Sequence, residues 1–429
     1  MKPKIGIVGL WHLGCVLSVS WAKLGYEVVS YDSSQSLIEG LQRGKAPLFE
    51  PEMDDLLKLA NLKFSHNVQD LVSSDFVFLA IDTPVDEQDM SLTESLKNLV
   101  EQIAPQLKNE CVLIVSSQCP VGLSRQLRAQ LQSHNPSLEL AYSPENLRLG
   151  QAISCYLRPG HIVLGTVTEK CQARCLELFG HLEAQIFPMS LESAEMVKHG
   201  INSFLAMSIV FANQMADLCV DNGADILEIV SAMKADPRIG ARAYLGAGIG
   251  FSGGTLGRDL RVLSQVYQSQ HQNSQISTGT DFFGTLWDLN AERYLAIITL
   301  LEKRWGRLDN QNIAVLGLTY KPDTSTLRQS IPLKIVTALQ ARGAKVTAYD
   351  PKADYTELTT PPTFGIADSV LDAVQGCDGI VLLTSWSEFR DYPWESIPAQ
   401  MKSARFFDGQ NWLLPQHRGL FEYTSIGRG

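Results

Sequence analysis

Apolar residues gather in short continuous runs toward both ends of the chain and fall at helical spacing in its middle. Lys4 to Val8 is an apolar run, Gly9 to Gly14 a glycine-punctuated turn, Cys15 to Lys23 a helix, and Glu27 to Asp32 a second strand closed by an acid. That order is a βαβ unit. Further runs at Phe76 to Ile81, Val112 to Val115 and Ile162 to Gly165 continue the alternation expected of a parallel, doubly wound sheet. From Leu191 the texture changes: Glu195 to Cys219 carries apolar residues at helical spacing with neither glycine pairs nor proline, and helices follow at about Ile226 to Met233 and Trp287 to Trp305. After Gly306 to Gln311 the alternation restarts, with strands at Ile313 to Leu318, Lys345 to Asp350 and Gly379 to Thr384 and a helix at Ile331 to Gln340. Two three-layer α/β lobes thus flank a helical segment. Each offers a crevice at the carboxyl ends of its strands, one for each half of a ligand pair.

Composition narrows the picture. A chain of 429 residues exceeds one hydrophobic core, and 45% apolar with 19% charged residues describes an ordinary globular protein. The formal net charge of -10 argues against non-specific nucleic-acid binding. Lys2 and Lys4 before Ile5 to Leu10 resemble a secretory signal, but the run is short and broken by Gly6 and Gly9, so a buried first strand is the better reading. No stretch is expected to span a membrane, and a cytoplasmic location is expected. Eight cysteines lie scattered from Cys15 to Cys377 without a paired framework or a cluster of metal ligands, and Cys171 with Cys175 has no accompanying pair. Reduced thiols and no metal are expected.

The first turn reads Gly9-Leu10-Trp11-His12-Leu13-Gly14. In a dinucleotide-binding turn the first glycine makes the bend, the second lets backbone approach the pyrophosphate, and the third packs helix on strand. Here Trp11 takes the second place. Asp32, at the end of the next strand, is placed for ribose hydroxyls, favouring NAD over NADP, whose 2′-phosphate it would repel. A second constellation runs from Gly248 to Asp259 and holds Gly248, Gly250, Gly253, Gly254 and Gly257, a density that implies backbone in close contact with a ligand or another segment.

Over nearly its whole length the chain resembles the UDP-glucose and GDP-mannose dehydrogenase family. Members show a loop of the form G-x-G-F-G-G-S-C-F-P-K-D, which Gly248 to Asp259 follows with Thr255 at the cysteine position. Other matches in order are Glu50-Pro51, Thr83-Pro84, Pro120-Val121-Gly122, Pro144-Glu145-Asn146-Leu147-Arg148, Lys198 with Asn202, Asp236-Pro237-Arg238-Ile239-Gly240, Lys321-Pro322, Arg328 and Asp408-Gly409-Gln410-Asn411. The resemblance implies an α/β fold of two Rossmann-like doubly wound parallel-sheet lobes joined by a central helical dimerisation segment. It divides the chain into an NAD-binding domain at 1–190, a helical segment with the glycine-rich loop at 191–306, and a nucleotide-sugar domain at 307–429. The implied partners are NAD, a nucleotide-diphosphate sugar, foremost a UDP-hexose, and a second copy of the chain.

In the family a sugar C6 alcohol loses a hydride to NAD, the cysteine traps the aldehyde, and a second hydride leaves before water releases a uronic acid. Lys198 and Asn202, one helical turn apart, match residues that bind the reacting oxygen. Asp259 matches a carboxylate that holds an ordering or proton-accepting water, and Glu145 one associated with the later acyl step. The resemblance assigns Gly9, Trp11, His12, Leu13, Gly14, Asp32, Thr83, Pro84, Gln118 and Arg328 to the cofactor. It assigns Glu145, Asn146, Leu147, Lys198, Asn202, Arg238, Gly250, Phe251, Gly254 and Lys321 to the substrate. Lys321 and Arg328 suit a diphosphate, and Arg238 resembles an arginine that reaches the neighbouring subunit's substrate.

Four departures touch the chemistry: Thr255 for cysteine, Leu149 for a second glutamate, Gln118 for a threonine, and Gly257-Arg258 for Pro-Lys. In the C-terminal lobe Ser325 and Thr326 stand where relatives often show acids, and Gln410 for an arginine. A thiol is partly ionised near neutral pH, whereas a threonine hydroxyl titrates far above it and needs an adjacent base. The thioester route is therefore closed at Thr255, while Lys198, Asn202 and Asp259 keep the first hydride transfer open; Cys119 is the one thiol near the expected cofactor loop. The expectation is one two-electron oxidation of a nucleotide-sugar alcohol. A redox-neutral epimerase that retains NAD, and a catalytically silent binding homologue, stand beside it.

Overall fold

A computed structural model describes residues 2–81, 93–145, 147–148, 150–272 and 279–428. The chain divides into two compact units, Met1–Gly200 and Ile201–Gly429.

The first unit is built on an eight-stranded sheet ordered β3-β2-β1-β4-β5-β6-β7-β8. Its strands are β1 (Ile5–Val8), β2 (Val28–Tyr31), β3 (Leu62–Ser65), β4 (Phe76–Leu79), β5 (Val112–Val115), β6 (Glu139–Tyr142), β7 (His161–Gly165) and β8 (Gln185–Met189). Neighbours run parallel except β6 and β7, which meet antiparallel through Tyr142 and Gly165. β1, β4 and β5 are wholly buried, so their continuous apolar runs are what two covered faces require. On one face Trp21, Phe78, Tyr156 and Phe179 pack together as an aromatic cluster.

The second unit carries a six-stranded, all-parallel sheet ordered β11-β10-β9-β12-β13-β14. Its strands are β9 (Asn312–Leu316), β10 (Lys345–Tyr349), β11 (Gly365–Ile366), β12 (Gly379–Leu382), β13 (Arg405–Asp408) and β14 (Glu422–Ser425). The opening of this sheet repeats that of the first in sequence and geometry. Gly9 N–H donates to Tyr31 O and Gly317 N–H to Tyr349 O, and the acids that follow those tyrosines, Asp32 and Asp350, accept from Leu10 N–H and Leu318 N–H. Both α/β lobes are therefore Rossmann-like.

Helices fill the middle of the chain. The longest, Leu191–Asn222, extends four residues before and three after the span expected from apolar spacing. By length and composition alone this helix is long and apolar enough to cross a bilayer, a test that the core helix of a folded domain also meets. It nonetheless carries Glu195, Lys198, His199 and Asn202 buried against protein, as a core helix does. The expected helix from Trp287 to Trp305 is two helices, Phe282–Ala291 and Arg293–Trp305, broken at Glu292. The break lies between Asn290 and Arg293, both of which turn onto the glycine-rich loop.

Candidate functional site

The helix His12–Lys23 begins three residues earlier than its apolar spacing indicated, because the glycine turn runs straight into it. Gly9 has φ +90°, and a Cβ there would stand 2.3 Å from the Ile81 side chain. A Cβ on Gly14 would stand 1.7 Å from Gly9 O, so only glycine lets the helix sit on the turn. Trp11, at φ -75° and ψ -155°, needs no glycine conformation, and the residue is 47% exposed. It offers the helix no side-chain cap. The N–H groups of the first helical turn have no intrahelical acceptor, so those around His12, Leu13 and Gly14 are available to a pyrophosphate.

The second lobe provides the contrast. Its corresponding helix, Ile331–Ala341, is capped by Ser330, whose Oγ accepts from Leu333 N–H. Asp350 is also fully occupied, accepting from Leu318, Thr319, Lys352 and Ala353 backbone N–H groups, from the Thr319 hydroxyl and from Trp386 Nε1. Among the described residues Asp32 accepts only Leu10 N–H and Ser34 N–H, both at 2.9 Å, and it is half-buried, so each oxygen keeps a lone pair. The first lobe thus fits NAD, by an uncapped helix end and an acid with spare acceptors, and the second lacks both features.

Beyond β6, Glu145 lies in a loop where burial pushes its carboxyl up to about 7, the Lys198 ammonium opposing the shift. Lys198 is buried and donates from Nζ to Glu145 O at 2.8 Å. Glu145 and Leu147 border a cavity of 240 Å³ shared with Arg148, Cys155 and Tyr156. Gln118 is half-buried in the loop after β5. Its neighbour Cys119 is wholly buried, and burial pushes the thiol far above its ordinary value, with Glu195 adding to the shift. Cys119 is therefore no ready nucleophile. Thr83, Pro84, Asn146 and Leu149 lie outside the described residues.

In the second unit, Asn202 and Asp259 are both buried and joined, Asn202 Nδ2 donating to Asp259 Oδ2. The glycine-rich loop is pinned along its length. Gly248 N–H donates to Asn213 Oδ1, Gly248 O accepts from Arg293 Nε, and Asn290 brackets Phe251 by binding its N–H and its carbonyl, each at 2.9 Å. Gly250, at φ +104°, has no room for a Cβ, which would meet Asn290 Oδ1 at 2.7 Å. Ser252 Oγ accepts from Ile331 N–H, and Gly253 lies under the Tyr320 ring. These contacts bring the loop to Tyr320, while Gln410 closes on Gly248.

Gly254 and Thr255 lead into the helix Leu256–Gln272, with Thr255 exposed. Among the described residues no side-chain base is bonded to its hydroxyl. Burial pulls the Lys321 ammonium below its ordinary value, with Asp323 opposing. Arg328 is exposed. Arg238 is exposed on a turn and paired with Asp236 at 2.6 Å, so in the single chain it faces its own neighbour.

The structure therefore brings together Gly9 to Gly14 with Asp32, Lys198 with Glu145, and Asn202 with Asp259, and it sets the glycine-rich loop against Tyr320, the residue before Lys321. Sequence reasoning missed the pins Asn213, Asn290 and Arg293, which are single polar residues within helical spacing. It also missed the work of Glu50, for which the Glu-Pro pair was a visible signal.

Comparison with known proteins bears on the same regions. Residues 3–183 match the NAD binding domain of the UDP-glucose/GDP-mannose dehydrogenase family, residues 192–281 its central domain, and residues 314–415 its UDP binding domain. A UDP-glucose 6-dehydrogenase of Rhizobium meliloti is 31% identical, the alignment covering 99% of both chains. Among solved structures, a UDP-D-ManNAc dehydrogenase from Pyrococcus horikoshii superposes with a TM-score of 0.86 at 27% identity, covering 99% of each chain. A UDP-glucose dehydrogenase from Pyrobaculum islandicum shares the fold with a TM-score of 0.87 at 24% identity, covering 100% of this chain and 98% of that one.

Proposed function

The chain belongs to the UDP-glucose/GDP-mannose dehydrogenase family, NAD-dependent oxidoreductases acting on CH–OH groups of nucleotide sugars, and we propose that this member stops after one two-electron oxidation. Thr255 carries the proposal: it stands exposed, with no base bonded to its hydroxyl among the described residues, where the family pattern has the cysteine that captures the aldehyde. Cys119, buried and with its thiol pushed up, does not replace it.

NAD, when bound, supplies the hydride acceptor. The first step needs an anchor for the reacting oxygen and a destination for its proton. Lys198 is assigned the first, as a buried cation whose charge stabilises developing alkoxide. Asp259 is assigned the second, holding the proton-accepting water while Asn202 fixes its carboxylate. The alcohol C–H electron pair leaves as hydride, the O–H proton passes to that water, and an aldehyde or ketone remains. Without a thiol to trap the aldehyde as a thiohemiacetal, the adduct from which the family's second hydride leaves does not form. Glu145 and Leu147 flank the sugar in this reading, with Asn146, Gly250, Phe251 and Gly254. Lys321 takes the diphosphate, and Arg328 serves the cofactor.

A UDP-hexose is the substrate we favour. The division 1–190, 191–306 and 307–429 assigns NAD, the glycine-rich loop and the nucleotide sugar to successive domains. A homodimer is supported by Phe204, Phe211 and Leu218, spaced seven apart on one helix and 62%, 45% and 61% exposed. In a second copy Arg238 would then have a substrate to reach. A cytoplasmic location suits eight cysteines that are all unpaired. The test is incubation with NAD and a panel of nucleotide sugars. Release of NADH with a carbonyl product supports the proposal, conversion without net NADH points to an epimerase, and binding without turnover to a silent homologue.

A further inference from the structure

Glu50 follows the second βα unit as half of a Glu-Pro pair, and its side chain is 1% exposed. Three groups from distant parts of the first unit converge on it. Oε1 accepts from Ala152 N–H at 2.6 Å, and Oε2 accepts from Gly150 N–H at 3.0 Å. His12 Nε2 lies 3.0 Å from the same Oε2. An acceptor-only carboxylate engaged this fully is committed to holding its neighbours rather than to a ligand.

What it holds are the ends of two functional segments. His12 is the first residue of the helix whose open N-terminus fits the pyrophosphate, and its ring, turned to Glu50, fixes that end of the helix. Ala152 opens the helix Ala152–Leu157, whose Gln151 provides no side-chain cap; Glu50 supplies one from a residue a hundred positions away. Gly150, at φ +82°, makes the bend between that helix and the loop that begins at Pro144-Glu145. One side chain thus fastens the cofactor turn and the far end of the Glu145 loop.

We propose that Glu50 is a positioning residue that couples the two, so that NAD at the turn steadies Gly150 and Ala152 through the His12–Glu50 contact. The proposal rests on the NAD site assigned above. By linkage the effect is mutual: whatever NAD does to this stretch, a substrate engaging the loop does to NAD affinity.

Hydrogen exchange at the amides of Gly150 and Ala152, measured with and without saturating NAD, reads the coupling directly. In the wild type NAD slows exchange there by about tenfold. His12→Leu cuts the link to the turn and leaves both Glu50 bonds to the backbone. At saturating NAD its exchange at Gly150 and Ala152 stays within about twofold of the cofactor-free rate. Glu50→Gln has one oxygen where two are used, so one of the two amides exchanges faster even without cofactor. A merely structural Glu50 would speed exchange when replaced but leave the NAD response of His12→Leu intact. NAD binding by calorimetry without any change at these amides overturns the coupling, as does the same NAD response in His12→Leu as in wild type. No calorimetric binding of NAD to the wild type overturns the cofactor assignment instead, and the coupling with it.

Discussion

Replacing Glu145 by Gln tests whether the carboxyl beside Lys198 is held neutral by its surroundings. Burial raises it from an ordinary 4.5 to about 7 against the pull of the Lys198 ammonium. The folded first unit therefore keeps a proton that the unfolded chain gives up between those values. Stability from this group is greatest below pH 4.5, falls as pH rises through the interval, and is lost above about 7. At about 1.4 kcal/mol per pH unit the loss is ~3 kcal/mol. Gln has the same shape and no titration, so Glu145→Gln removes this slope and leaves those of other groups, which cancel in the comparison. The assay is urea unfolding at about pH 5 and about pH 8, read by hydrogen exchange on peptides of the first unit so that the second does not mask it. Wild type minus Glu145→Gln should change by ~2.5 kcal/mol between the two conditions, part of the loss having occurred by pH 5. Lys198→Met, which removes the opposing charge, moves the wild-type interval to higher pH. Equal pH dependence in wild type and Glu145→Gln would refute the reasoning, because it would mean the carboxyl is already ionised.

Thr255→Cys restores the nucleophile, and mass spectrometry should then find an acid product where the parent releases a carbonyl. Phe204→Glu with Phe211→Glu places charge on the exposed apolar stripe, and light scattering should report a monomer in place of a dimer. Gly14→Ala sets a methyl 1.7 Å from Gly9 O and should cost about 3 kcal/mol or more in unfolding experiments, or yield no folded first unit.

Much of this architecture was legible because continuous apolar runs mark doubly covered strands. β1, β4, β5 and β12 were found in that way. The edge strands were not: β3 reads Leu-Lys-Phe-Ser, β8 is half-exposed and contains Pro188, and β14 reads Glu-Tyr-Thr-Ser, none of which forms a run. The start of the first helix was misplaced because Trp11 and His12 read as turn, although the turn and the helix's first turn overlap. In the candidate site, the residues at motif positions were visible in order. Their partners were not, since nothing in the spacing of Asn290 or Arg293 announces a loop some forty residues earlier, and only folding brings Asp350 to six donors. The doubled pattern of Gly9 with Tyr31-Asp32 and Gly317 with Tyr349-Asp350 was present in the sequence, but its meaning emerged from hydrogen bonding. One aspartate retains acceptors for a ligand and the other does not.

With Thr255 in place of cysteine, oxidation is expected to halt at the carbonyl. The direct measurement is the number of NADH molecules formed per nucleotide sugar consumed, with the product's mass read from the same reaction. One NADH for each sugar and a product lighter by two hydrogens are expected. Two NADH for each sugar with a uronic acid would contradict this.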